Sequence, residues 1–274
     1  MISLDSSRLA AISPTNPAVD THLERQITSA SRSVEEARRA AYHDGSRVGA
    51  LVEQISVLAD LRQKEGDFRK AEGLYREALF RAQELRNVDP ELIVGIYSLL
   101  AHLYDRWGKN DKACEFYQQA LDISEANGLE ASDKVATIKN NLAMIHKQLR
   151  DFTQAEQYYQ DALECFQRVD GEESSRVASV YNNLGVLYYQ LMDVERSQEM
   201  HEKALRIRQG LRGDSTDPSD LSQTYINLGA VYKAAGDFKQ AEACVDEAKR
   251  IRANVNGYRP RPRRAASLLV DRTF

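Results

Sequence analysis

A 42-residue repeat is the feature of this 274-residue chain that most restricts how it can fold. Five segments align on one leucine, and successive leucines are 42, 42, 42 and 44 residues apart. These leucines are Leu58, Leu100, Leu142, Leu184 and Leu228. Self-similarity at such a period is typical of solenoids, whose units stack because one unit cannot bury its own apolar face.

Small residues recur at fixed positions within each repeat. Alanine or glycine follows the leucine, alanine or serine occurs twelve residues later, and an alanine follows seven residues after that in all five repeats. Small side chains let two antiparallel helices approach closely, so the spacing predicts a helical hairpin in each repeat. Between the two halves, EGDF, LRDF and AGDF supply a residue that ends one helix and an aspartate that caps the next.

The sequence therefore predicts an all-α fold, an α-solenoid in the form of a right-handed superhelix of five 42-residue hairpins. We expect residues 1–46 to form an N-terminal segment with a capping helix, 47–256 the repeat array, and 257–274 a basic tail.

The capping helix is predicted from about residue 20 to 43, where Leu23, Ile27 and Val34 fall at helical spacing. Thr21 and Glu24 have the form of a capping box at its start.

The repeat resembles the tetratricopeptide repeat in a long form, because eight residues beyond the usual period of about 34 add about one turn to each helix. More specifically, VYNNLGVLYYQLMDVERSQEMHEKALRIRQGLRG and the Asp-Pro steps at residues 89–90 and 217–218 resemble kinesin light chain repeats. The resemblance covers about residues 47 to 256.

Kinesin light chains carry a long heptad coiled coil before their repeats, and this sequence shows none there. A short array of this kind is similar to the bacterial kinesin light chain family. That resemblance implies association with filaments of bacterial tubulin, without a motor.

In tetratricopeptide hairpins the first helix lines a concave groove, so the resemblance implies partner contacts on that helix. The candidate partner-binding residues are Asn140, Asn141, Lys147, Gln148, Asn182, Asn183, Tyr189, Gln190, Asn227 and Lys233. An asparagine offers one acceptor and two donors, which suits it to hold the backbone of an extended peptide. The first two repeats have serine with valine or leucine instead, so we expect such a site in repeats 3 to 5.

Two roles remain open for these amides. We expect contact with a partner for Asn140 and Asn182. The alternative, for Asn141, Asn183 and Asn227, is a hydrogen bond to a carbonyl of the adjacent repeat that fixes the superhelical twist.

The net charge of −4 is distributed unevenly. Residues 256–274 carry five arginines and one aspartate, a net charge of +4, which leaves −8 for the preceding residues. An acidic body argues against nucleic acid as a partner. The basic tail residues are Arg259, Arg261, Arg263 and Arg264. Three roles remain open for this tail: covering the apolar end of repeat 5 with residues 265–270, binding an acidic partner, or occupying the protein's own groove.

The sequence contains no glycine-rich phosphate loop, H-E-x-x-H motif, nucleophile elbow or calcium loop. We therefore predict a non-enzymatic protein with no catalytic residue, metal site or cofactor. His146, His201 and Trp107 align with aromatic or apolar positions of other repeats, and we interpret them as packing residues.

The three cysteines are too scattered for a disulfide framework, and the N-terminus lacks the features of a signal peptide. No run approaches the roughly 18 to 20 apolar residues that a membrane span needs. We predict a cytoplasmic protein with no membrane partner.

Two function classes fit these observations. The first is a scaffold that binds and stabilises tubulin-like cytoskeletal filaments. The second is an adaptor that captures a linear motif of a signalling or cargo protein in its groove. A filament binder needs a polymer lattice, whereas an adaptor binds a short peptide.

Overall fold

The structure is a computed structural model, and it describes residues 17–44, 47–85, 88–129, 132–211 and 217–255. These residues form eleven α-helices and no strand. The helices are α1 (Pro17–His43), α2 (Val48–Glu65), α3 (Phe68–Gln83), α4 (Pro90–Arg106), α5 (Asn110–Ala126), α6 (Asp133–Gln148), α7 (Phe152–Asp170), α8 (Ser175–Gln190), α9 (Val194–Gly210), α10 (Pro218–Ala234) and α11 (Phe238–Val255).

Helices α2 to α11 form five antiparallel hairpins, one for each repeat in the sequence, and this confirms the predicted fold class. Contacts divide the chain into two compact units, residues 1–130 and 131–274. In the first unit, α1 packs on α2, and α3 packs on α4 of the next hairpin. In the second unit, α8 packs on α7 and α10 on α9, and the first helices of neighbouring hairpins also touch.

The small residues of the repeat lie where the two helices of a hairpin meet. Ala59, Ala71 and Ala78 of the first repeat are all fully buried. In the fourth repeat a Cβ atom at Gly185 would lie 2.7 Å from the His201 ring, so the ring packs directly on the α8 backbone. Close helix approach through small residues is therefore as predicted.

Aspartates cap the second helices of four hairpins. The side chains of Asp67, Asp151, Asp193 and Asp237 each accept a hydrogen bond from the backbone N–H three residues later. Such a bond satisfies one of the donors that a helix N-terminus leaves unpaired.

The first helix, α1, begins at Pro17, one turn before the predicted start. Proline is favoured at the first helical position because its fixed φ suits the helix and the N–H it lacks would be unpaired there. Thr21 therefore lies inside the helix, and the predicted capping box is wrong. Arg38 attaches α1 to α3 by a two-pronged hydrogen bond to Glu77, with N···O distances of 2.9 and 2.6 Å.

Three residues interpreted as packing residues are placed as such. His201 is 1% exposed, and the His146 ring stacks on Tyr158. Trp107 stacks with Phe68 and with Tyr104, with ring centroids 5.8 and 5.9 Å away. No helix in the described ranges is long and apolar enough to cross a bilayer.

Candidate functional site

Five asparagines form a row across the first helices of the three hairpins in the second unit. They are Asn140 and Asn141 on α6, Asn182 and Asn183 on α8, and Asn227 on α10, and we call them the amide row. All five are half-buried. Each pair, or the single Asn227, directly precedes the buried leucine of its repeat, so the helix packing that buries the leucine also fixes the amides.

Two hydrogen bonds join neighbouring hairpins through the amide row. Nδ2 of Asn183 donates to Oδ1 of Asn140 at 3.1 Å. Nδ2 of Asn227 donates to Oδ1 of Asn182, also at 3.1 Å. In both, a later repeat donates to an earlier one. The amides thus bond to one another across repeats, where the sequence suggested a carbonyl of the adjacent repeat as the acceptor.

These bonds use only part of what each amide offers, because a carboxamide has two N–H donors and an oxygen with two lone pairs. Oδ1 of Asn182 accepts from Asn227, but Nδ2 of Asn182 donates to no described residue. Nδ2 of Asn140 lies 3.5 Å from Oδ1 of Asn141 and 3.8 Å from Sδ of Met144. Oδ1 of Asn227 also accepts from Gln223, at 2.9 Å. The row therefore links hairpins and still has a donor for a partner.

The other predicted groove residues lie toward the C-terminal ends of the same helices. Lys147 and Tyr189 follow Asn140 and Asn182 by seven residues, about two helical turns. Lys147 is half-buried, which lowers the pKa of its ammonium group, and no carboxylate of the described residues pairs with it. An ammonium in that position attracts an anionic group of a partner.

The remaining predicted groove residues are exposed. Gln148 and Gln190 end α6 and α8. Lys233 occupies on α10 the repeat position that Lys147 and Tyr189 occupy on α6 and α8, and it lines a cavity along α10 and α11. The structure thus brings the asparagines together, and it places Lys147, Tyr189 and Lys233 at one repeat position further along the same three helices.

An apolar surface at the hairpin turns of the second unit escaped the sequence analysis. Leu149, Leu191 and Met192 are 49%, 39% and 79% exposed, and we call them the apolar turn edge. Met192 has φ 60° and Arg150, the aligned residue of the preceding repeat, has φ 64°. The other three repeats have glycine at this position, with φ between 73° and 89°.

This replacement of glycine is the signal that could have revealed the turn edge. A side chain at positive φ costs about 1 kcal/mol, and an exposed methionine recovers little of that by packing. Folding alone does not account for such a residue, so the apolar turn edge is a candidate contact surface.

The described residues contain no cluster of three histidine, cysteine, aspartate or glutamate side chains that could hold a metal ion. The basic tail residues Arg259, Arg261, Arg263 and Arg264 lie outside the described residues.

Comparison with protein families places tetratricopeptide repeats along most of the chain. One tetratricopeptide family model matches residues 53–126 and 134–210, and a second matches residues 221–262. The comparison with curated proteins returns no match.

The chain is also similar to several solved structures. The crystal structure of BtubC (BKLC) from P. vanneervenii is 78% identical with a TM-score of 0.81, covering 92% of this chain and 99% of that chain. A kinesin light chain-type protein of Podosopora anserina, with nearly identical TPR-like repeats, is 18% identical with a TM-score of 0.62, covering 75% of this chain and 96% of that chain. MamA is 19% identical with a TM-score of 0.52, covering 73% of this chain and 98% of that chain. The last two support the fold alone.

Proposed function

We propose, because this chain belongs to the kinesin light chain-like tetratricopeptide repeat proteins, that it is a non-enzymatic scaffold that binds and stabilises polymers of bacterial tubulin in the cytoplasm. The likeness to BtubC (BKLC), at 78% identity over 92% of the chain, is the observation that carries this proposal. Tetratricopeptide repeat proteins are interaction scaffolds, so a protein partner follows from the family itself.

The second unit supplies two surfaces suited to a protein partner. The amide row offers directional hydrogen bonds, and the apolar turn edge offers side chains that gain by burial. A scaffold that touches two subunits at once binds a polymer more tightly than a single subunit, since the second contact is intramolecular. Preferential binding to the polymer stabilises it by mass action.

The experiment that tests this proposal is co-sedimentation of the purified full chain with polymerised bacterial tubulin, with unpolymerised subunits as the control. We expect the protein to pellet in proportion to the polymer and to slow its disassembly on dilution. No pelleting with polymer at any salt concentration would refute the proposal.

The amide row supports a second candidate function, a peptide-binding adaptor. The unused N–H group of Asn182 and the unpaired ammonium of Lys147 suit the backbone and the acidic side chains of an extended peptide. Saturable binding of short acidic peptides, together with no pelleting with polymer, would favour the adaptor over the filament scaffold.

A further inference from the structure

The junction between the fourth hairpin (α8–α9) and the last one (α10–α11) is built around a buried arginine. Arg208, near the end of α9, is 4% exposed. Its Nη1 donates to the backbone oxygen of Asp220 at 2.9 Å and to Oγ1 of Thr224, both on α10. Its Nη2 donates to Oγ of Ser179 on α8 at 3.1 Å. One side chain therefore joins the last hairpin to both helices of the hairpin before it.

The preceding junction has apolar side chains at the same repeat positions. Phe166 on α7 aligns with Arg208, and Val180 on α8 aligns with Thr224. Phe166 and Val180 are both buried, and they belong to one apolar cluster of the second unit. A buried apolar pair is thus replaced at the last junction by a buried pair that is hydrogen-bonded.

That apolar cluster does not continue into the last hairpin. Its members run from Ala136 on α6 to Leu211, which directly follows α9. Of the described residues of α10 and α11, none belongs to it. A further tie across this junction is polar as well, because the Tyr232 hydroxyl on α10 donates to Glu202 on α9 at 3.0 Å.

A polar junction costs less to open than an apolar one. When the hairpins separate, Arg208 and Thr224 exchange their hydrogen bonds for bonds to water, so the net loss is small. An apolar pair would instead expose hydrocarbon to water without compensation. Burial lowers the pKa of the Arg208 guanidinium because the charged form loses hydration, and opening restores that hydration.

We propose that the last hairpin opens from α8–α9 as one piece, with the Arg208–Thr224 contact as its latch. Repeat arrays open in units of neighbouring elements. Helices α10 and α11 stay packed on each other in the open state, because their contact is close: a Cβ at Gly229 would lie 3.3 Å from the backbone oxygen of Ala241. Opening therefore separates α9 from α10 and leaves both hairpins intact.

Opening changes one member of the amide row. In the closed state Asn227 donates to Oδ1 of Asn182, and separation of the hairpins frees this oxygen for an N–H group of a protein partner. That consequence rests on the partner-binding role proposed for the amide row. The opening itself does not, so its test uses the isolated full chain and stands whether or not the protein binds a tubulin polymer.

Hydrogen exchange, resolved by peptide mass spectrometry in urea below the unfolding transition, measures the opening. We expect amides of α10 and α11 to exchange at least about tenfold faster than those of α8 and α9. Met192→Gly is the matched control, because it removes backbone strain from the α8–α9 turn without touching the last junction. It should slow exchange in α8 and α9 alone, and equal slowing in all four helices would overturn the proposal.

Two variants of the latch separate its effect from simple fraying at the end of the array. Thr224→Val removes the hydroxyl acceptor and should speed exchange in α10 and α11 by about tenfold, because hydrogen bonds to charged groups are among the stronger ones. Arg208→Phe combined with Thr224→Val restores the apolar pair of the preceding junction and should slow exchange there below that of the unmodified protein.

Helices α6 and α7 serve as the internal reference, and their exchange should not change in either variant. The single variant keeps the test decisive if the double variant folds poorly, since valine and threonine have nearly the same shape. Exchange in α10 and α11 that is unaffected by Thr224→Val, or that changes equally throughout the second unit, would contradict the latch.

Discussion

At the residue scale, the fourth repeat shows how one glycine makes room for one ring. In the first three repeats the corresponding positions hold alanine and tyrosine, whereas here they hold Gly185 and His201. His201 is 1% exposed, and its ring occupies the space where a Cβ of residue 185 would be. The glycine at 185 and the histidine at 201 therefore compensate for each other in the packing of this hairpin.

We predict that Gly185→Ala lowers the free energy of unfolding by about 1–3 kcal/mol, because the added methyl group overlaps the His201 ring and the core must shift. Gly95→Ala on α4 is the matched control. A Cβ there meets no atom within 4 Å, so it should stabilise by about 0.5–1 kcal/mol. Urea denaturation followed by circular dichroism measures both, and equal effects would contradict the clash.

Burial of His201 should also make the stability of the fold depend on pH. Burial, with the neighbouring Arg208 charge, lowers the pKa of His201 to about 4, against about 6.5 in an unfolded chain. Between these values the unfolded state binds a proton that the folded state does not, so stability falls as the pH falls. The loss attributable to His201 is about 2 kcal/mol at pH 5.

The measurement is urea denaturation from pH 7 to pH 5 on the unmodified protein and on His201→Phe. Carboxylates titrate in both proteins, so their contributions cancel in the difference. We expect the phenylalanine variant to show a shallower decline in stability with falling pH. Parallel curves would show that His201 is protonated in the folded state as readily as in the unfolded one.

At the scale of the helical hairpin, the turn is the element in which repeats differ most. Three of the five turns use glycine at positive φ, and the other two use Arg150 and Met192. Because all five keep the same backbone conformation, the non-glycine turns carry strain that the sequence could avoid.

We predict that Met192→Gly raises the free energy of unfolding by about 1 kcal/mol, since glycine adopts positive φ without strain. Met192→Ala is the matched control, because it removes the long side chain but keeps the strained Cβ. Thermal or urea denaturation should show stabilisation by glycine alone. If alanine raised the free energy of unfolding as much as glycine, the exposed methionine side chain and not the backbone strain would be what destabilises the turn.

The amide row gives a second prediction at this scale. Asn140→Ala with Asn182→Ala removes both acceptors of the inter-hairpin bonds, and Asn183→Ala with Asn227→Ala removes both donors of the same bonds. Each pair should lose about 1–2 kcal/mol of stability, because two half-buried hydrogen bonds disappear.

Only the first pair should weaken partner binding, because only it removes the amides expected to reach the partner. Polymer co-sedimentation and denaturation of both double variants separate the two roles. Equal binding losses, in step with equal stability losses, would assign the amide row to holding the hairpins together.

The hairpins were predictable because they repeat the same local signals: small residues at the helix contact, a turn residue and, in four of the five, an aspartate that caps the second helix. The start of α1 was not, because Thr21 and Glu24 have the form of a cap while Pro17 begins the helix one turn earlier. The Asn140–Asn183 hydrogen bond could not be predicted from the sequence either, since the two residues are 43 positions apart and meet only after two hairpins stack. The exposure of Met192 could not be predicted for the same reason, because it depends on which residues of other helices pack near it.

At the scale of the whole molecule, function depends on which surfaces of the repeat array remain open to a partner. In the second unit, residues at the hairpin turns of α6–α7 and α8–α9 stay exposed. Within the second unit, two successive turns present a leucine at the same repeat position, Leu149 and Leu191. A periodic partner such as a polymer can meet equivalent residues of successive repeats at once.

We predict that Leu149→Ser combined with Leu191→Ser weakens binding to polymerised bacterial tubulin by about tenfold or more. Burying an exposed leucine contributes up to about 1.5–3 kcal/mol, and a partial share from two leucines is sufficient for that change. The loss of folding stability should be modest, because these residues are already 49% and 39% exposed. Co-sedimentation over a range of polymer concentrations measures the change in affinity.

Phe80→Ser is the matched control, because Phe80 is 58% exposed in the first unit and lies on α3, away from any hairpin turn. It removes a larger exposed apolar side chain, so a general loss of surface hydrophobicity would affect it at least as much. Binding that is unchanged in the double leucine variant would remove the turn edge as a contact surface. A loss confined to the leucine variant would place the polymer against the turns of the second unit, and each single leucine variant should then show a smaller loss than the pair.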